Sequence, residues 1–211
     1  NIEITATNTV ERTITADSYV DYYKDDSENY AEIEVNSPIS AISGSITLSA
    51  KNEVSTTLTV DGDIDDGYYD YSQNEAYITV AGGGEEDFIH TDSGIISLTA
   101  ENSYSRDISA EYIEYFYLGQ YNHAYINVED AEITSNAGDI DISATNTVDT
   151  NVQAEDEGDG GINEYEDYSE NYAEIDINNE SGETISTLGD ITLSATNTIN
   201  PASNESLITA D

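Results

Sequence analysis

The sequence predicts an all-β fold, a parallel β-solenoid built from tandem repeats of about 47 residues with Tyr- and Asp-rich insertions on one side. Three observations predict it. One motif recurs almost five times along the 211 residues, its apolar residues alternate with polar ones, and asparagine returns in phase on the apolar side.

The repeat comes first, because a fixed period decides the architecture. NIEITATNTV occupies 1–10, and GSITLSAKNEV (44–54), GIISLTAENSY (94–104), GDIDISATNTV (138–148) and GDITLSATNTI (189–199) align with it without gaps. Their alanines, Ala6, Ala50, Ala100, Ala144 and Ala195, are spaced by 44, 50, 44 and 51 residues. A second motif lies between them: NYAEIEV (29–35), NEAYITV (74–80), NHAYINV (122–128) and NYAEIDI (171–177). The chain divides into repeats 1–43, 44–93, 94–137 and 138–188 and a partial repeat 189–211, a single array with no linker. LITAD at 207–211 matches TITAD at 13–17, so the pattern is cut at both ends, as expected of a window of a longer chain.

Within each repeat the alternation of Ile46, Leu48 and Ala50, or of Ile140, Ile142 and Ala144, has the period of a strand buried on one face. Apolar residues return four, eight and ten positions after the alanine, as in Val54, Leu58 and Val60. With Ala31, Ile33 and Val35 of the second motif, this predicts about four short strands per repeat, punctuated by Gly, Asn and Asp. Such a unit is compatible with one coil bearing a long insertion or with two coils of about 23 residues.

Asparagine supplies the third observation. Asn8, Asn52, Asn102, Asn146 and Asn197 follow the alanines by two, and Asn29, Asn74, Asn122 and Asn171 precede the second-motif alanines by two. Alternation puts both sets on the buried side, where an amide must find partners. Identical amides stacked at the ~4.8 Å strand spacing satisfy one another as a ladder; independent Asn turns are the alternative.

Composition narrows the function. With 45 Asp and Glu against 4 Lys and Arg, the net charge is −41. Polyphosphate binding depends on cations that displace counterions, so a nucleic-acid partner is excluded, and an anionic membrane is disfavoured for the same reason. No Cys is present, and two His are too few for a usual zinc site. No apolar run reaches the roughly 18 residues of a membrane-spanning helix.

The insertions at 17–30, 61–77, 111–125 and 155–172 hold 16 of the 17 tyrosines. Stacked, they form a stripe of phenols and carboxylates. The stripe is read as rings packed on one another, as a contact surface, or as a platform for sugar rings. DGDIDDG (61–67) and EDEGDGG (155–161) offer oxygen ligands of the kind Ca²⁺ takes: Asp61, Asp63, Asp65, Asp66, Glu155, Asp156, Glu157 and Asp159. Carboxylates repeated coil upon coil repel unless a cation sits between them, which favours calcium over a merely solvated acidic face. Arg12 and Arg106 share one register, six after the alanine, and only in the shorter repeats, giving a longer period of about 94 residues. Asn179-Glu-Ser and Asn204-Glu-Ser match the glycosylation acceptor pattern.

GDITLSATNT with NYAEIEV, SPISAISG and a return to GSITLSA resembles the repeats of filamentous haemagglutinin-like giant adhesins and related bacterial exoproteins, and the resemblance spans the whole chain. It implies a right-handed parallel β-helix, an extracellular or cell-surface location, and a role in adhesion or matrix. The acidity and the Tyr-rich insertions depart from that pattern. A β-helical polysaccharide lyase or hydrolase is the enzymatic rival. A hydrolase breaks its repeat to assemble a unique site, and a lyase needs a cationic groove; neither is visible, so the expectation is a non-catalytic filament or adhesin segment. Its partners are then other copies or adjoining repeats, with surface glycans on the tyrosine stripe as the alternative.

Overall fold

A computed structural model describes residues 1–154, 161–178 and 185–200. The acceptor sites Asn179 and Asn204 lie outside them. The first repeat contains β1 (Ile2–Ala16), β2 (Val20–Asp25), β3 (Glu28–Val35) and β4 (Ile39–Ala41). The second contains β5 (Ile46–Val60), β6 (Asp63–Asp70) and β7 (Gln73–Thr91), and the third β8 (Ile96–Ala110), β9 (Tyr112–Leu118) and β10 (Tyr121–Ser135). The fourth contains β11 (Ile140–Ala154), β12 (Ile162–Asp167), β13 (Glu170–Asn178) and β14 (Ile185–Thr187), and β15 (Ile191–Asn200) opens the fifth. No helix occurs among the described residues.

These strands form three parallel sheets. The first is ordered β1-β5-β8-β11-β15, the second β12-β9-β6-β2, and the third β13-β10-β7-β3, with β4 beside β7 and β14 beside β10. Neighbours in a sheet are one whole repeat apart. Ala6 pairs with Ala50, Ala50 with Ala100, Ala100 with Ala144 and Ala144 with Ala195, as the gapless alignment of the motifs requires.

Two details differ from the sequence expectation. The alanine motif and the apolar positions after it form one unbroken strand of 15 residues, not two short ones, because the inward-facing alternation continues through Asn52, Val54 and Thr56. The described parts of the insertions are ordered as strands: β2, β6, β9 and β12 form the second sheet by themselves.

The long strands of the first sheet serve two cores. Their first halves, through Ile46, Leu48, Ile96, Leu98, Ile140 and Ile142, pack on Ile78, Val80, Ile126 and Val128 of the third sheet. Their second halves, through Leu58 and Ile108, pack on Ile64, Tyr68, Ile113 and Phe116 of the second. Between the cores runs the asparagine ladder: Nδ2 of Asn8 donates to Oδ1 of Asn52, Asn52 to Asn102, Asn102 to Asn146 and Asn146 to Asn197, at 2.8, 2.8, 2.8 and 3.0 Å. A second ladder joins Asn29, Asn74, Asn122 and Asn171 at 3.0, 2.9 and 2.8 Å with the same polarity. Cross-links from Asn52 Nδ2 to the Asn29 carbonyl and from Asn197 Nδ2 to the Asn171 carbonyl tie the ladders together.

Asn102→Ala removes the middle rung and strands the buried Oδ1 of Asn146. The expected loss is about 2 kcal/mol or more, since an orphaned buried polar group costs roughly 1–3 kcal/mol beyond the bond itself. Urea denaturation with an unchanged m-value is the measurement.

Candidate functional site

The second sheet is the most distinctive part of the chain, and its two faces differ. Inward, Tyr23, Tyr68, Phe116 and Tyr165 stack with ring centroids 5.1, 5.1 and 5.6 Å apart and planes within 12° of parallel. Tyr68 and Phe116 are fully buried. Burial pushes the Tyr68 phenol well up from its ordinary value, and burial with Asp25 and Asp70 pushes Tyr23 up to about 12. Outward, Tyr22 lies 5.3 Å from Tyr69, Tyr71 5.1 Å from Tyr117, and Tyr117 5.7 Å from Tyr168. On this sheet the stripe read from the sequence divides into a row in the core and rows on the surface, while Tyr30, Tyr77, Tyr121, Tyr125 and Tyr172 lie on the third sheet. The alternation of β6 and β9 is broken by a bulge, which is why adjacent residues such as Tyr68 and Tyr69 could not be assigned to faces by counting.

That bulge involves the second glycine of DGDIDDG. Gly67 has φ +123, a conformation L side chains rarely adopt, and a Cβ there would lie 2.6 Å from Cβ of Tyr115. The glycine permits a close approach of β6 to β9. Of the proposed metal ligands, Asp61 lies in the bend before β6, Asp63 is half-buried at its start, and Asp65 and Asp66 are exposed in the bulge. Among the described residues no three His, Asp or Glu side chains gather as a metal-holding group. Glu155, Asp156, Glu157 and Asp159 lie outside the described residues.

Where the second sheet meets the first, the interior holds charges that motif reading had not brought together. The buried Asp25 and Asp70, and the exposed Asp167, each accept the backbone N–H two residues on, from Ser27, Ser72 and Ser169, at 2.9 Å. In the third repeat Leu118 takes the aspartate position, pairing with Asp70 on one side and Asp167 on the other. Tyr104 stands in that same repeat where the others have Val10, Val54, Val148 and Ile199. Its hydroxyl donates to Asp70 Oδ2 at 2.5 Å, and Nη1 of Arg106 donates to the same oxygen at 3.0 Å. Nε of Arg106 donates to Thr150 at 3.0 Å. All three groups of the triad are buried.

Burial by itself would lower the Arg106 guanidinium, but Tyr104 and Asp70 hold it above its ordinary value. Burial drives the Tyr104 phenol far up, so it remains a donor. Arg12 repeats the arrangement more loosely, 3.4 Å from Asp25 and 3.0 Å from Asn29 Oδ1. The lysines face outward, Lys24 to Asp26 and Lys51 to Glu53. The signal for the triad was present in the sequence: the shared register of the arginines, the single tyrosine outside the insertions, and the loss of aspartate at position 118 in the same repeat.

A buried pair is costly to break from one side, by about 3–5 kcal/mol, because a charge is left without its partner. Arg106→Met is therefore expected to destabilise by roughly that amount. Arg12→Met, at a partly exposed and longer pair, should cost about 1 kcal/mol, and Asp70→Asn added to Arg106→Met should recover part of the loss. Urea midpoints of the three variants check the order.

Compared with known proteins, the chain matches no family model, no curated protein and no solved structure.

Proposed function

We propose that the chain is a stretch of right-handed parallel β-solenoid, one coil per repeat, acting as a non-catalytic structural filament or cell-surface adhesin segment outside the cell. The observation that carries this reading is the repeat-to-repeat register: strands of all three sheets neighbour their counterparts one repeat away, one asparagine ladder runs from the first repeat to the fifth and the other from the first to the fourth. A parallel crossover in one sheet is right-handed in nearly every known case, which supports the hand. Among the described residues the outer strands β1 and β15 each have one sheet neighbour, so their other edges are suited to pairing with adjoining repeats or with further copies. Asp25, Asp70 and Asp167 hold one row and make the same backbone contact in three repeats, which speaks for a structural role over a unique catalytic centre. Calcium between the acidic loops is a separate part of the proposal, supported by the exposed Asp61, Asp65 and Asp66.

A second reading, carbohydrate binding, is favoured by one feature. Tyr22, Tyr69 and Tyr71 flank an open groove of about 630 Å³ whose ring faces suit sugar stacking.

Electron microscopy and fibre diffraction of the purified chain, with and without EGTA, test the proposal. Rods are expected whose axial reflection is near ~4.8 Å, the strand spacing. Discrete compact particles with no axial reflection would contradict the filament. Rods indifferent to EGTA would remove calcium and leave the filament standing.

A further inference from the structure

The outward tyrosine rows have no role in either core. Tyr22 and Tyr168 are 51% and 64% exposed, an unusual position for rings that alternation could have turned inward. Their surroundings are acidic. Carboxylates at Asp66, Glu164 and Glu166 act on Tyr69, and a hydrogen bond to Glu164 helps push Tyr115 up to about 12. A π-face flanked by carboxylates is a site for an organic cation, attracted by both the ring quadrupole and the charge.

The chain supplies an example of such seating. The ammonium of Lys24 lies 5.2 Å from the centroid of Tyr71 and 2.5 Å from the carboxylate of Asp26. Along one row of the sheet, Lys24 is followed in register by Tyr69, Tyr117 and Glu166, so ring and carboxylate continue beyond the one seat that Lys24 fills. The groove of about 630 Å³ beside it is open to a larger ligand.

We propose that this outward tyrosine face binds lysine-rich peptide segments, each ammonium lying over a ring and beside a carboxylate as Lys24 lies over Tyr71. One exposed contact of this kind is weak, and its repetition from strand to strand converts it into usable affinity for a chain of amines. The net charge of −41 draws such a segment in, and the rings decide where it rests. The proposal is independent of the filament reading, because it needs only the second sheet.

The test uses fluorescein-labelled octalysine and anisotropy at about 150 mM NaCl, where long-range attraction is screened within ~8 Å. Tyr71→Leu, Tyr117→Leu and Tyr168→Leu combined leave the net charge unchanged, and circular dichroism verifies the fold. A loss of roughly tenfold in affinity is expected. Equal affinity would show that charge alone attracts the peptide and would overturn the proposal. So would tyrosine-dependent binding of a neutral oligosaccharide in preference to octalysine. A second comparison holds if the triple variant fails to fold. Lys24→Gln empties a seat, and Lys51→Gln makes the same charge change on the first sheet. Octalysine should bind several-fold more tightly to the first variant than to the second, and equal binding would contradict the site.

Discussion

In-register parallel pairing, one repeat apart, is the constraint on which everything else depends. It sets each residue at the ~4.8 Å strand spacing from its own counterparts above and below. For an amide this is rewarding, since one side chain donates to the next along the stack, and Asn is accordingly present in all four full repeats at both ladder positions. For an aromatic ring it gives face-to-face stacking, as in Tyr68 on Phe116. For a carboxylate it is costly, because like charges directly opposite one another destabilise a sheet.

The acidic residues obey that constraint. Glu32 is followed along its row by Tyr77, Tyr125 and Glu174, Glu28 by Gln73, Tyr121 and Glu170, and Glu3 by Thr47, Ser97 and Asp141. Phenols do more than separate: hydrogen bonds to Glu32 and Glu164 help hold Tyr77 and Tyr115 up near 12. Among the described strand pairings, Asp25 with Asp70 is the one place where two carboxylates meet, and it points inward to the arginines. The expectation of calcium drew on carboxylates stacked upon carboxylates. In the described registers, Asp25 with Asp70 apart, they stack on neighbours that are not carboxylates.

Much of this was legible because the reward and the periodicity reinforce each other. The repeat, the alternation and the asparagine phase each follow from residues that must recur, and together they give the parallel sheets, the register and both ladders. What was not legible depends on residues that must not recur. Staggered carboxylates are noticed only when the aligned rows are read across repeats. The Tyr104–Asp70–Arg106 triad arises from three departures in one neighbourhood, Tyr for Val, Leu for Asp and an arginine in register with Thr56. The division of the tyrosines into buried and exposed rows depends on a bulge at Gly67 that no periodicity signals.

The most direct test of this account places an acid where the register excludes one. Thr79 pairs with Glu34 on one side and Asn127 on the other, outward on the third sheet. Thr79→Glu and Thr79→Gln differ in charge and hardly in shape, so their stability difference in urea reads the cost of a carboxylate stacked on a carboxylate. The account predicts that the glutamate variant is less stable by about 0.5–1 kcal/mol, with the gap closing in roughly 1 M NaCl, where screening acts within ~3 Å. Equal stability of the two at low salt would contradict it.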